Sequence, residues 1–160
     1  PTFKNAKYVW SQEDFDFYKA LDADPQKGPA NGGSFRDSVL PVVEMGKVQM
    51  VKGGAEIEDG LKITPAPGHT PGTVRIEFES QGRKALFCGD ILHHAVQVYH
   101  PEWNSFACLD QANARTSRRA AIEHCAGTGA MLLPCHFGAP FHCHIDHKGA
   151  GFAPRFADNF

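Results

Sequence analysis

Residues 61–90 read LKITPAPGHTPGTVRIEFESQGRKALFCGD, and this stretch decides the fold. Residues 73–79 alternate between apolar and polar side chains, which is typical of a strand with one buried face. Residues 85–87 form a continuous apolar run suited to a central strand. Turns rich in glycine and proline separate these strands. Two residues able to bind a metal, His69 and Asp90, therefore lie where predicted strands end.

His136 is a third candidate ligand in the same kind of place. The sequence MLLPCHFG at residues 131–138 gives an apolar strand, a turn and an imidazole in that order. Imidazole nitrogens and carboxylate oxygens are ligands that Zn²⁺ accepts, and an open coordination position keeps such a metal catalytic. Each residue alone also has a simpler interpretation: a surface histidine for His69 and a turn cap for Asp90. Three strand ends that together offer His, Asp and His favour a metal site.

The first third of the chain predicts a strand, two helices and several short strands. Phe3–Trp10 reads as a strand, and Ser11–Asp14 has a capping pattern that should start a helix. Ser34–Asp37 repeats this pattern. Gly53-Gly54 fits a hairpin turn between short strands. Those strands are predicted at Val48–Val51, Ala55–Ile57 and Leu61–Ile63.

Residues 91–109 are rich in histidine and aromatic residues, and a third helix should follow them. Asp110 can cap a helix that runs to about Cys125, with Arg118 and Arg119 on a solvated face. A last strand is predicted around Cys143–Ile145, followed by a weakly structured tail. We expect a single domain over residues 1–160, because this length is sufficient for one hydrophobic core.

Strands outnumber helices in this sequence and are joined by short turns. This organisation predicts the α+β class, with a mixed or antiparallel sheet and helices packed on one face. The other face of such a sheet needs a cover, which need not lie within this chain.

Composition excludes several classes of partner. The hydrophobic fraction of 42%, the charged fraction of 21% and the net charge of −2 are those of an ordinary globular protein without a basic nucleic-acid surface. No apolar run approaches the ~20 residues that span a bilayer. The five cysteines form no CxxC pair, which favours reduced thiols and a cytoplasmic location. Because Pro1 is not an initiator methionine, we expect an upstream segment, and a secreted or periplasmic location stays open.

Three segments of this chain, PGHTPGTV, ALFCGD and LLPCHF, occur in an order that resembles the second half of the metallo-β-lactamase superfamily. The resemblance is strongest to hydrolases related to quorum-quenching lactonases and methyl-parathion hydrolase. It extends from PTFKNAKYVW at the start of the sequence to the last predicted strand. It implies half of an αββα sandwich.

The resemblance also implies a site with two metals, usually zinc. His69 would bind the first metal, Asp90 would bridge both, and His136 would bind the second. The activity implied is hydrolysis of an ester, lactone, amide or phosphotriester by a metal-activated water. His93 lies where relatives place a group that touches the substrate or its leaving oxygen. Alternatively, His93 orients Asp90.

The superfamily signature HxHxDH precedes the part of the family that this sequence resembles. We therefore expect this chain to be a C-terminal half, with the N-terminal half and its ligands absent, or supplied by another chain. Residues 142–147, HCHIDH, contain the same letters: His142, His144, Asp146 and His147. These residues either form a ligand set in a circularly permuted order or match by coincidence, and we interpret the segment as the last strand of the fold.

Two functions follow from the sequence. The first is a metal-dependent hydrolase of ester, lactone or phosphotriester bonds, whose site is incomplete in this chain. The alternative is a non-catalytic fragment or an oligomerisation module with at most partial metal binding. A homodimer that covers the exposed face of the sheet belongs to this alternative.

Overall fold

The structure is a computed structural model that describes residues 3–156. Contacts divide the chain into two compact units, Pro1–Gly53 and Gly54–Phe160. The single domain over residues 1–160 stays a prediction. Within residues 3–156, none of the helices combines the length and the apolar character needed to cross a membrane.

The first unit pairs two short strands in parallel. Strand β1, Tyr8–Ser11, lies beside β2, Val48–Val51. Helix α1, Gln12–Ala23, begins as predicted, because the Ser11 hydroxyl accepts a hydrogen bond from the backbone N–H of Asp14. Its apolar side chains pack on a small cluster of buried residues. The cluster consists of Ala30, Phe35 and Val39, and the α1 side chains on it are Phe15, Tyr18 and Leu21.

Two details of this unit differ from the sequence prediction. Ser34 does not cap the second helix, since its hydroxyl donates to the carbonyl of Asn31. The segment forms a π-helical turn, Phe35–Val39, that continues into α2, Leu40–Glu44. The hairpin predicted at Gly53-Gly54 is also wrong, because β2 pairs with β1 and not with the strand that follows.

The second unit is built on a five-stranded mixed sheet. Its strands are β3 Ala55–Glu58, β4 Leu61–Pro65, β5 Val74–Ser80, β6 Arg83–Gly89 and β7 Met131–Pro134, in that order across the sheet. Neighbours from β3 to β6 are antiparallel, whereas β6 and β7 are parallel. A parallel pair requires a long crossover. That crossover contains two helices, α3 Val96–Tyr99 and α4 Gln111–Thr128.

Helix α4 covers one face of this sheet. The Asp110 side chain accepts hydrogen bonds from the backbone N–H groups of Ala112 and Asn113, which confirms the predicted cap. Gly129 ends the helix in the left-handed conformation, with φ of 72°. Buried side chains of α4 pack on buried side chains of the central strands. They are Ala121, Ile122 and Cys125 from the helix, and Leu86, Cys88 and Leu132 from the sheet.

The opposite face of the sheet is apolar. Residues paired across neighbouring strands share a face. Two rows of such partners are Leu61, Phe78, Ala85 and Met131, and Ile63, Ile76, Phe87 and Leu133. Phe78 and Phe87 are 39% and 45% exposed. The predicted α+β fold, with a mixed sheet and helices on one face, is confirmed.

The C-terminal part forms a hairpin. Strand β8, His144–Lys148, pairs antiparallel with β9, Gly151–Arg155. The weakly structured tail predicted after β8 is therefore wrong over residues 151–155. Ile145 and Phe152 are buried in the main core of the unit, and this burial explains why the short β9 is ordered.

Candidate metal centre

The turn that carries His69 is fastened to the start of α4. A Cβ atom on Gly68 would lie 2.2 Å from the Ala114 nitrogen, and the φ of Gly68 is +141°. Only glycine fits such an approach. The Ser117 hydroxyl donates to the Pro67 carbonyl at 2.7 Å, and the N–H of Leu109 donates to the His69 carbonyl at 3.1 Å. The His69 backbone is therefore held from several sides.

Asp90 follows an irregularity at the end of β6. The register between β6 and β7 shifts between Phe87 and Gly89, and Gly89 has a φ of +48°. A Cβ atom on Gly89 would meet open space, so a close approach of the backbone does not explain this glycine. Glycine is required here for its left-handed conformation, which turns the chain and presents Asp90 at the edge of the sheet.

The Asp90 carboxylate lies between two imidazoles. Its Oδ2 atom is 3.3 Å from Nε2 of His69, and its Oδ1 atom is 2.7 Å from Nε2 of His136. The side chains of Asp90 and His136 are 40% and 51% exposed, so the site is open to solvent. The structure thus brings together the three residues that the sequence selected, with each carboxylate oxygen directed to a different histidine.

His93 completes a cluster of three imidazoles around this carboxylate. Its ring centre is 5.1 Å from that of His69 and 5.4 Å from that of His136, on which it stacks. One ligand atom from each of His69, Asp90 and His93 falls within 4.8 Å of the others. Burial lowers the pKa of His93, and the Asp90 carboxylate opposes this shift. A neutral imidazole keeps a lone pair for a metal or a proton.

The donor set fits a divalent metal. The Nδ1 atom of His93 is buried and has no hydrogen-bond partner among residues 3–156. Three imidazoles and one carboxylate are nitrogen and oxygen donors of the kind that Zn²⁺ binds.

The segment HCHIDH lies outside this cluster. Asp146 forms an ion pair with Arg155 at 2.8 Å, and His147 packs against the ring of Phe152. Nδ1 of His142 lies 2.8 Å from the carbonyl oxygen of Pro140. Over the described part of the chain, none of its residues belongs to a group of three potential ligands. The strand interpretation holds for His144–Lys148.

The sequence did not indicate a role at the site for three residues that lie near it. Cys108, buried, places its sulfur 4.0 Å from Nδ1 of His69, and burial raises the pKa of its thiol. Gln97 and Arg118 are 4% and 0% exposed. The prediction of a solvated Arg118 is wrong. Its position was a usable signal, since it lies four residues after the buried Ala114 and four before the buried Ile122.

The segment between Asp90 and α4 carries exposed aromatic groups. His100 and Trp103 stack at 4.3 Å with an angle of 13° between their planes. Trp103 is 52% exposed and Phe106 is 99% exposed.

Comparison with known proteins identifies the family. Residues 4–136 match the model of the metallo-beta-lactamase superfamily. The chain therefore belongs to this superfamily. No curated protein matches the sequence significantly.

Solved structures share this fold at low sequence identity. The chain is similar to the hydrolase AbOPH in the beta-lactamase superfamily, with 24% identity and a TM-score of 0.86. It is also similar to AidC, a dizinc quorum-quenching lactonase, with 20% identity and a TM-score of 0.76. A probable metal-dependent hydrolase from Staphylococcus aureus gives 19% identity and a TM-score of 0.73. These alignments cover 99% of this chain, but only 57%, 57% and 55% of the respective structures.

Proposed function

We propose that this chain supplies one wall of a metal-dependent hydrolytic site. The observation that carries the proposal is the position of Asp90, whose two oxygens lie near Nε2 of His69 and Nε2 of His136. An ordinary capping aspartate would bond to nearby backbone N–H groups. A carboxylate directed at two imidazoles from distant parts of the sequence is instead typical of a ligand that bridges two ions.

The residues have separate roles in this proposal. His69 and His136 would each hold one metal, and Asp90 would be a ligand shared by the two ions. A bound Zn²⁺ supplies Lewis acidity and makes water nucleophilic near neutral pH. His93 contacts the substrate or its leaving oxygen, or it serves as a further ligand. Its unbonded Nδ1 atom supports both roles.

The proposed substrate is a small ester, lactone or phosphotriester. AidC, which shares the fold, is described as a dizinc lactonase in complex with a product. We propose that the remaining ligands come from a part of the protein outside residues 1–160, because this chain spans just over half of the similar structures. The open, half-exposed ligands are consistent with a second wall.

The test is the Asp90→Asn variant of the full-length protein. Zinc content would be measured by mass spectrometry, and hydrolysis would be measured with a lactone, an aryl ester and a phosphotriester. We expect metal loss and a fall in activity of about 10²-fold or more, since even supporting residues of metal sites are worth ~10–100-fold. Asp146→Asn is the matched control, because Asp146 is exposed and pairs only with Arg155 among the contacts described. Wild-type zinc content and activity in Asp90→Asn would refute the proposal.

A second candidate is a module that pairs through its sheet. The observation in its favour is the apolar face that includes the exposed Phe78 and Phe87. On this view a second copy of the chain covers that face. Metal analysis separates the candidates, since a pairing module retains its oligomeric state without any metal.

A further inference from the structure

Arg118 is fully buried but faces no carboxylate among the hydrogen-bond partners described. Its Nε atom donates to the Ile91 carbonyl at 3.0 Å. Its Nη1 atom donates to the carbonyls of Pro101 and Trp103 and to Oδ1 of Asn104, at 2.7–2.9 Å. All four acceptors belong to residues 91–104, the segment that carries His93. Burial of a cation is costly, so these acceptors must compensate for lost water.

Gln97 binds the same segment from within. Its Oε1 atom accepts hydrogen bonds from the N–H groups of His93 and His94, at 2.7 and 3.2 Å. Its Nε2 atom donates to the Trp103 carbonyl at 2.9 Å, which also accepts from Arg118. The backbone around His93 is therefore fixed before this residue by Arg118, at residue 91, and at and after it by Gln97, at residues 93 and 94.

Arg118 also reaches toward the other histidine of the cluster. Its guanidinium lies near the Cys108 thiol, where burial raises the pKa of the thiol and the guanidinium charge lowers it. The Cys108 sulfur lies 4.0 Å from Nδ1 of His69, on the opposite side of the ring from the Asp90 carboxylate. One guanidinium thus hydrogen-bonds to the segment that holds His93 and lies near Cys108, the residue beside His69.

We propose that Arg118 is a positioning residue that sets the imidazoles of His93 and His69 for metal binding, with Gln97 as its partner. The proposal rests on the proposed metal site. Arg118 touches neither metal ligand directly and acts through the backbone of residues 91–104 and through Cys108. The planar guanidinium of arginine has several N–H donors and can hold three or more acceptors in a fixed arrangement, so it suits a positioning role.

The test compares Arg118→Met and Arg118→Lys with Arg119→Met in the full-length protein. Arg119 is the matched control because it is adjacent on α4 and half-exposed, near Glu123. Co²⁺ would be titrated and followed by its visible absorption. We expect Arg118→Met to bind Co²⁺ about 10–100-fold more weakly, with an altered spectrum. The Co²⁺ affinity of Arg118→Lys should be intermediate, since lysine keeps the positive charge but lacks the planar guanidinium. Affinity and spectrum equal to those of Arg119→Met would overturn the proposal.

Gln97→Met keeps the proposal testable if Arg118→Met does not fold. This variant has a similar shape but cannot bond to His93 or Trp103. We expect a weaker Co²⁺ complex, and a folded Gln97→Met with wild-type affinity would overturn the proposal in that case.

A metal-free measurement separates this proposal from the proposed function. If wild-type protein binds no Co²⁺, the hydrolase proposal fails. The NMR chemical shifts of the histidine ring nitrogens and protons, measured without metal, then test whether Arg118 and Gln97 position the imidazoles. Changes at His93 and His69 in Gln97→Met or Arg118→Lys, but not in Arg119→Met, support it. Unchanged ring resonances overturn it.

Discussion

Gly68 lies so close to helix α4 that a side chain has no space. A built Cβ atom meets the Ala114 nitrogen at 2.2 Å and its Cα at 2.4 Å, and both are backbone atoms that cannot rotate away. We predict that Gly68→Ala lowers the free energy of unfolding by several kcal/mol, about 2–4, because overpacking and a positive φ add together. Displacement of the turn should also weaken metal binding at His69.

Gly127→Ala is the control for this prediction. Gly127 lies in the last turns of α4, and a Cβ atom there meets open space. Alanine at this position should stabilise the helix by up to ~1 kcal/mol. Denaturant unfolding of both variants measures the difference. Similar stability in the two variants would mean that the turn moves away from α4 at little cost.

Sequence reasoning selected His69, Asp90 and His136 because strand ends and rigid turns can be recognised locally. It did not find Gln97, Cys108 or Arg118. The roles of these residues depend on contacts with residues 91–104 and with His69, which no local pattern encodes. An arginine in a helix is normally solvated, and only its position between buried neighbours indicated otherwise.

At the scale of elements, strand β5 carries a partly buried carboxylate, Glu77, that is paired with neighbouring side chains. Glu77 lies 2.9 Å from Nη2 of Arg75, and its Oε1 accepts a hydrogen bond from the Thr64 hydroxyl. Burial would raise the pKa of Glu77, but Arg75 and Thr64 outweigh it, and the net pKa is lowered. A carboxylate with a lowered pKa stabilises the fold above its unfolded pKa. This contribution is lost as the pH falls through the folded pKa.

We therefore predict a pH-dependent effect of Glu77→Gln. The variant should be less stable than wild type at pH 7, and the difference should shrink as the pH falls below about 4.3, the usual pKa of glutamate. Urea unfolding across this range measures it. Glu79→Gln is the control, since Glu79 is exposed and its pair with Lys84 at 3.7 Å is of the kind that contributes little. A constant difference at all pH values would exclude the ionic contribution.

The elements themselves were predictable where capping and periodicity agree. Ser11 and Asp110 mark the starts of α1 and α4, and Gly129 marks the end of α4. Strand β9 was missed because GFAPR alternates poorly and contains a proline. Its order depends on pairing with β8 and on burial of Phe152, both of which are tertiary effects.

At the scale of the whole chain, the apolar sheet face is the surface through which we expect copies of the chain to associate. Phe78 and Phe87 are large and partly exposed on that face. We predict that residues 1–160 alone self-associate through this face. The double variant Phe78→Gln/Phe87→Gln should lower the molecular mass in solution toward that of a single chain. Light scattering measures this mass. Phe106→Gln/Phe141→Gln is the control, since both rings are exposed outside the strands. An equal shift in the control would mean that the sheet face has no special role.

The long crossover between β6 and β7 has a consequence for the order of events in folding. Asp90 and His136 are 46 positions apart in sequence, and their contact exists only when β7 has docked beside β6. Contacts between distant positions form late, because the entropy of closing the loop must be overcome first. The metal that we propose these residues hold would therefore lack a complete set of ligands early in folding. Such a metal would stabilise the finished fold and would slow unfolding far more than it speeds folding.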